Sequence, residues 1–175
     1  MKDKNYKELL KKITTFILDV DGVLTNGKIL VTTKGKMLRE MNTKDGFIIK
    51  YAIDKGFKVF IISGGTNEGV KERLKDLGID EIFLGEHIKN NTYKKLIKKY
   101  KLNKNEIVYM GDDVPDIPVM KKIGVPCCPN DAVPDVKRIS IYVSKKNGGE
   151  GCVRDIIEQT LRTQMKWADP KDLGW

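Results

Sequence analysis

The sequence predicts an α/β fold: a doubly wound parallel sheet with an inserted β-hairpin. Three observations carry that prediction. Short apolar runs of strand length alternate with helically patterned segments about every 25 residues. Glycines and polar capping residues mark most junctions. Acidic and small polar residues collect just after the apolar runs, where an open parallel sheet presents its ligand crevice.

The elements follow in order. Residues 5–13 pattern as a short amphipathic helix, and TFILD (15–19) as the first buried strand. Over 27–42, ILV and KMLREM flank TTKG with its Gly35, which predicts a hairpin. Thr43 then reads as the cap of a helix over roughly 44–55 that ends at Gly56. KVFII (58–62) is the second core strand, broken by Ser63-Gly64-Gly65. Val70, Leu74 and Leu77 share one helical face over 67–77, and Gly78 closes that helix. EIFL (81–84), a loop containing Lys89, and a helix over 91–100 come next. Asn103 and Glu106 precede the strand IVYM (107–110), then GDD and a short helix through Pro115 to Met120. GVPCC (124–128) and ISIYV (139–143) read as strands, 150–165 as the last helix, and ADPKDLGW as a loop-like tail.

One domain is the expectation for 175 residues, a length that can bury a core without disulfides. A run of ~18 apolar residues is absent, so no membrane partner is expected. The charged start MKDKNYKELLKK lacks the apolar region of a signal peptide, and three cysteines with no CxxC fit free thiols. Both point to the cytoplasm. The net charge of +9 fits nucleic-acid binding or steering of a small anion, but solvated lysine-rich helix faces such as KKLIKKYKLNK (94–104) account for it without any partner. Aromatics are few and not interleaved with basic residues, so nucleic acid is not the expected partner. A single histidine, His87, cannot build a multi-histidine metal centre.

The chemistry concentrates at the strand ends. Asp19 and Asp21 follow the first strand, Ser63, Gly64 and Gly65 the second, and Asp112, Asp113 and Asp116 the fourth, with Lys89 after the third. Alone, each is an ordinary turn or cap, or a surface lysine. In order, at the ends of successive strands of one sheet, they converge on one crevice. Such a carboxylate cluster repels itself unless a cation sits within it, and hard oxygen donors beside a phosphate suit Mg²⁺. The glycines after Ser63 let backbone N–H groups face an anion, and Lys89 can neutralise phosphoryl charge.

DVDGVLT, Ser63, Lys89 and GDDVPD together resemble the four motifs of the haloacid dehalogenase-type phosphatases. A hairpin in place of a separate cap domain resembles the capless subgroup that contains the 3-deoxy-D-manno-octulosonate 8-phosphate (KDO 8-phosphate) phosphatases. MNTKDGF (41–47), PCCPNDAVPDVK (126–137) and NGGEGCVRD (147–155) extend the likeness along nearly the whole chain. The resemblance implies one phosphatase domain over 1–175, with a hairpin insert at about 27–42 and a C-terminal tail at about 166–175. It implies Asp19 as nucleophile, forming an aspartyl-phosphate, and Asp21 as general acid, then base. Asp19, the Asp21 carbonyl and Asp112 would hold Mg²⁺. Ser63, Gly64, Thr25 and Lys89 would serve the phosphoryl group, and Asp113 and Asp116 would orient Lys89 and water. Lys44, Arg73 and Arg154 are candidates to meet a substrate carboxylate. The implied reaction is hydrolysis of KDO 8-phosphate, a sugar acid phosphate, by a homotetramer in which hairpin and tail pack between subunits.

Two departures bear on the substrate. Gly65 stands where many relatives carry Arg, and Glu150 where many carry Arg or Asn. A nine-carbon keto acid phosphate, such as a KDN or N-acylneuraminate 9-phosphate, is therefore the alternative substrate. A nucleic-acid-binding or assembly protein on a dead scaffold is the remote alternative, and the intact Asp19 and Asp21 argue against it. A receiver domain would not need Asp21, and a kinase lacks its GxxxxGK[ST] loop here.

Overall fold

The structure is a computed structural model that describes residues 5–79 and 81–168. Six parallel strands form the main sheet: β1 (Thr15–Leu18), β4 (Lys58–Ile62), β5 (Glu81–Phe83), β6 (Ile107–Met110), β7 (Val125–Cys128) and β8 (Tyr142–Val143). Their order is β5-β4-β1-β6-β7-β8. The chain winds outward from β1 in one direction and then restarts at β6 in the other. The topological switch point therefore lies beside β1, where an open sheet splays its loops apart.

Alternation along each strand divides the core in two. Phe16 and Leu18 of β1, Val59 and Ile61 of β4, and Val108 and Met110 of β6 face one side. There they meet α1 (Tyr6–Leu10), α2 (Thr43–Asp54), α3 (Glu68–Asp76) and α7 (Cys152–Thr163). Ile17, Phe60, Ile62 and Tyr109 face the other, against α4 (Lys89–Tyr100), α5 (Ile117–Met120) and α6 (Pro134–Ile139). All four residues of β1 are buried, as a strand covered on both faces requires. A floor so enclosed holds the residue after it in a fixed place.

Several boundaries differ from the sequence expectation. Asn42, not Thr43, caps α2 by accepting the Lys44 N–H at 2.8 Å. Helix α4 begins at Lys89, so that lysine opens a helix instead of sitting in a loop. Helix α6 was not anticipated; Pro134 starts it, and Ile139 ends it where a strand was expected. Of the expected tail, residues 169–175 lie outside those described.

The hairpin pairs β2 (Leu30–Val31) with β3 (Met37–Leu38), antiparallel, around a turn in which Gly35 takes φ +73°. Leu30 and Val31 are 67% and 63% exposed. Helix α7 has a second distinctive join. Its cap residue is Gly151, which has no side chain to offer. Asp45 of α2 supplies the missing acceptor, taking the Arg154 N–H at 2.7 Å on Oδ1. Its other oxygen is buried without a partner. No helix among the described residues is long and apolar enough to cross a membrane.

Candidate active site

Parallel register builds the site. Leu18 pairs with Met110 across β1 and β6, so the residues that follow each strand emerge side by side. The Asp19 N–H donates to the Met110 carbonyl at 3.0 Å, continuing the ladder one step past the strand. On the other flank Leu18 pairs with Ile61, which brings Ser63 to the same edge. Glycines then let the loops close in. Gly22 adopts φ +85°, and a Cβ there would stand 2.1 Å from Asp112 Oδ2. At Gly111 a Cβ would stand 2.3 Å from Asp116 Cγ. The loop at 148–149 buttresses the first motif from behind: a Cβ on Gly148 would lie 2.0 Å from the Gly22 carbonyl oxygen.

The result is a cleft of about 340 Å³. Asp19, Asp21, Ser63, Gly64, Lys89, Asp112, Asp113 and Asp116 all line it, as do Glu86 and His87, to which no site role was given. Lys89 Nζ lies 2.7 Å from Asp19 Oδ2 and 2.7 Å from Asp116 Oδ1, with its side chain 5% exposed. Burial alone would lower the Lys89 ammonium, but the two carboxylates outweigh it and hold its pKa above the ordinary value. Asp19 Oδ1 accepts the Val20 N–H at 2.7 Å.

Asp116 is saturated. Oδ1 accepts from Lys89 and from the Tyr109 hydroxyl at 2.6 Å, and Oδ2 from the Asp112 and Asp113 N–H groups at 3.2 and 3.4 Å. Tyr109, which sequence reasoning read only as part of a strand, thus anchors the acid that holds Lys89. Burial, then Asp116, pushes Asp19 up to about 6, with Lys89 opposing. Burial, then Asp19 and Asp116, pushes Asp112 up to about 7. Oxygens of Asp19, Asp112 and Asp116 lie within 4.8 Å of one another. Crowded oxygens that resist ionisation together fit a small divalent cation.

Some expected residues do other work. Asp113 does not reach Lys89; it caps the turn at 114–116 by accepting the Val114 N–H at 2.7 Å. Thr25 is buried outside the cleft lining and braces its own loop, donating to Asp21 Oδ1 at 3.4 Å and accepting from Gly22 and Gly27 N–H. Lys44 is exposed on the first turn of α2, and Arg73 packs over Gly46; neither lines the cleft. Arg154 pairs with Glu158 at 3.2 Å and stacks on Phe47 and Trp167. Glu150 accepts from Asn147 and is likewise absent from the cleft lining.

Arg39 was missed. It directly follows β3, and its Nε and a terminal nitrogen each donate to a different oxygen of Asp21 at 3.3 Å. It belongs to no motif, and its only sequence signal is a basic residue ending a strand-like run.

Comparison with known proteins gives the family. A family profile described as haloacid dehalogenase-like hydrolase matches residues 47–129. The 3-deoxy-D-manno-octulosonate 8-phosphate phosphatase KdsC of Escherichia coli K12 is 34% identical, over 92% of this chain and 86% of that protein. The Moraxella catarrhalis 3-deoxy-D-manno-octulosonate 8-phosphate phosphatase, solved with magnesium, phosphate and KDO, superposes with a TM-score of 0.89 at 29% identity. That match covers 92% of each chain. The cobalt-bound Haemophilus influenzae deoxy-D-mannose-octulosonate 8-phosphate phosphatase gives 0.88 at 30% identity, over 93% of this chain and 97% of that one.

Proposed function

The chain belongs to the 3-deoxy-D-manno-octulosonate 8-phosphate phosphatases of the haloacid dehalogenase-like hydrolases, and from that premise we propose that it hydrolyses KDO 8-phosphate through an aspartyl-phosphate on Asp19. It is a phosphomonoesterase. One observation carries the mechanistic reading: the Leu18–Met110 pairing sets Asp19 beside Asp112 at the switch point, with Lys89 bridging Asp19 and Asp116.

Asp19 attacks phosphorus. A carboxylate approaches a phosphate dianion only if charge is offset, and Lys89, held between Asp19 and Asp116, supplies one positive charge at the right place. Ser63, whose Oγ accepts the Gly65 N–H at 3.2 Å, presents its hydroxyl to the phosphoryl oxygens together with the backbone at Gly64. Asp21 gives its proton to the leaving alkoxide, then takes one from the water that hydrolyses the aspartyl-phosphate. Asp19, Asp112 and the Asp21 carbonyl would hold Mg²⁺, whereas Asp116 has its lone pairs committed to four donors. The ion, when bound, adds the remaining positive charge that the acids and the phosphoryl group require.

The working assembly on this reading is a homotetramer in the cytoplasm. The exposed Leu30, Val31, Met37 and Leu38 of the hairpin support contacts between copies, and the buried free thiols Cys127, Cys128 and Cys152 suit a reducing compartment. The test is phosphate release from KDO 8-phosphate and from nine-carbon keto acid 9-phosphates, side by side, with Mg²⁺ and with EDTA. Turnover of KDO 8-phosphate that EDTA abolishes and Asp19→Asn eliminates is the expected result. Preference for a nine-carbon substrate would overturn the substrate assignment, and unchanged activity in Asp19→Asn would overturn the mechanism.

A further inference from the structure

We propose that Arg39 is a positioning residue for the reaction: delivered by the hairpin, its guanidinium fixes the Asp21 carboxylate in the orientation that serves the leaving oxygen. This rests on Asp21 acting as described above.

The pair has the marks of a built feature. The Arg39 side chain is 7% exposed although its backbone belongs to a solvent-exposed hairpin. It enters a small space bounded by Val20, Val70 and Leu84 beside the main cleft. Nε meets Asp21 Oδ1 and the terminal nitrogen meets Oδ2, both at 3.3 Å, so the fork grips both oxygens and sets the plane of the carboxylate. The other terminal nitrogen donates to the Met37 carbonyl at 3.0 Å. Asn67, at the cap of α3, donates to the same carbonyl at 2.8 Å, tying the hairpin to the loop after β4.

Gly65 leaves the room. A Cβ there would lie 3.1 Å from Asp21 Oδ2 and 3.7 Å from the Arg39 guanidinium. A buried guanidinium is costly unless its donors are used, and here the partner is the one cleft carboxylate that faces Arg39 instead of Lys89. Asp19 and Asp21 thus pair with cations from different elements, Lys89 (which Asp116 shares) and Arg39, and this separates the two tasks. Lys89 serves the attacking group, and Arg39 serves the proton donor without touching the reacting atoms.

In the step concerned, Asp19 forms a bond to phosphorus as the phosphorus–alkoxide bond breaks. The leaving oxygen keeps the bonding pair and takes the Asp21 proton, and Asp21 is left as carboxylate. A protonated carboxyl retains acceptor capacity on both oxygens, so the fork can remain engaged while the proton is held. An alkoxide needs that proton, whereas p-nitrophenolate leaves without it.

The test compares kcat/KM for KDO 8-phosphate and for p-nitrophenyl phosphate in wild type, Arg39→Met and Arg39→Lys. This ratio reports only steps up to formation of the aspartyl-phosphate. Arg39→Met is expected to lower it by ~10²-fold for the sugar phosphate and by less than ~3-fold for the aryl phosphate, since general acid catalysis is worth ~10²–10⁴-fold. Arg39→Lys, with a point charge but no fork, should fall between. Equal losses on both substrates, or no loss on either, in whichever variant retains the wild-type circular dichroism spectrum, would overturn the proposal and leave the functional reading standing. A wild-type enzyme that releases phosphate from neither compound would overturn the functional reading itself, and this assignment with it.

Discussion

Replacing Asp45 by Asn should flatten part of the stability–pH profile. Asp45 is 1% exposed, caps α7 from α2, and keeps one oxygen without a partner. Burial drives its pKa from 3.8 up to about 6, against the opposing N–H groups of Arg154 and Gly151. A raised carboxyl means the folded chain binds more protons than the unfolded chain between those values. Its stabilising contribution is therefore fully present below pH 3.8 and lost as pH rises through about 6. A rise of about 2 corresponds to about 3 kcal/mol of folding free energy across that window. Asn keeps a carbonyl oxygen for the Arg154 N–H but cannot ionise. Urea unfolding of both proteins in EDTA, from pH 4 to 8, reads the difference. Asp19 and Asp112 titrate in both chains and cancel on subtraction. The Asn variant should gain on wild type by about 2–3 kcal/mol between pH 4 and 7, whatever its absolute offset. A difference that does not change with pH would refute the reasoning.

Two further outcomes are expected. Gly22→Ala places a methyl 2.1 Å from Asp112 Oδ2 at a positive φ, so the concentration of Mg²⁺ giving half-maximal rate should rise roughly 10–100-fold while the dichroism spectrum is retained. Leu30→Asp with Val31→Lys changes residues 67% and 63% exposed, so it should leave the melting temperature of the isolated fold nearly unchanged while lowering the sedimentation coefficient.

The main sheet was legible because its strands are short apolar runs with clean ends. KVFII was expected over 58–62 and is β4 over Lys58–Ile62; IVYM is β6 without adjustment. The cleft was legible for the same reason: in a parallel sheet the residue after each strand has one place to go. Asp19, Ser63 and Asp112 reach one edge through that rule, without knowledge of any side chain's rotamer. Local rules failed where two segments share a task. Thr43 is a good cap by type, but Asn42 precedes it and takes the N–H first. Helix α6 hid between Pro134 and an apolar ISIYV run whose first residue closes the helix instead of opening the strand.

Arg39 marks a different limit. Strand-end logic ranks a residue by the sheet that precedes it, and β3 belongs to the small hairpin sheet, not the large one. A hairpin of exposed leucine, valine and methionine reads as an assembly surface, so its one inward cation has no periodicity to betray it. What links it to the site is Gly65, whose missing side chain is visible in the sequence but whose neighbours are not. The exposed apolar strands, proposed above as the surface between copies, and the Asp21 anchor thus lie on the same hairpin, tied down through the Met37 carbonyl that both Arg39 and Asn67 hold. A partner seated on Leu30 and Leu38 would stiffen the segment that carries Arg39. Dissociation of the proposed assembly should then slow phosphate release from alkyl phosphates more than from aryl ones, the same signature expected of Arg39→Met.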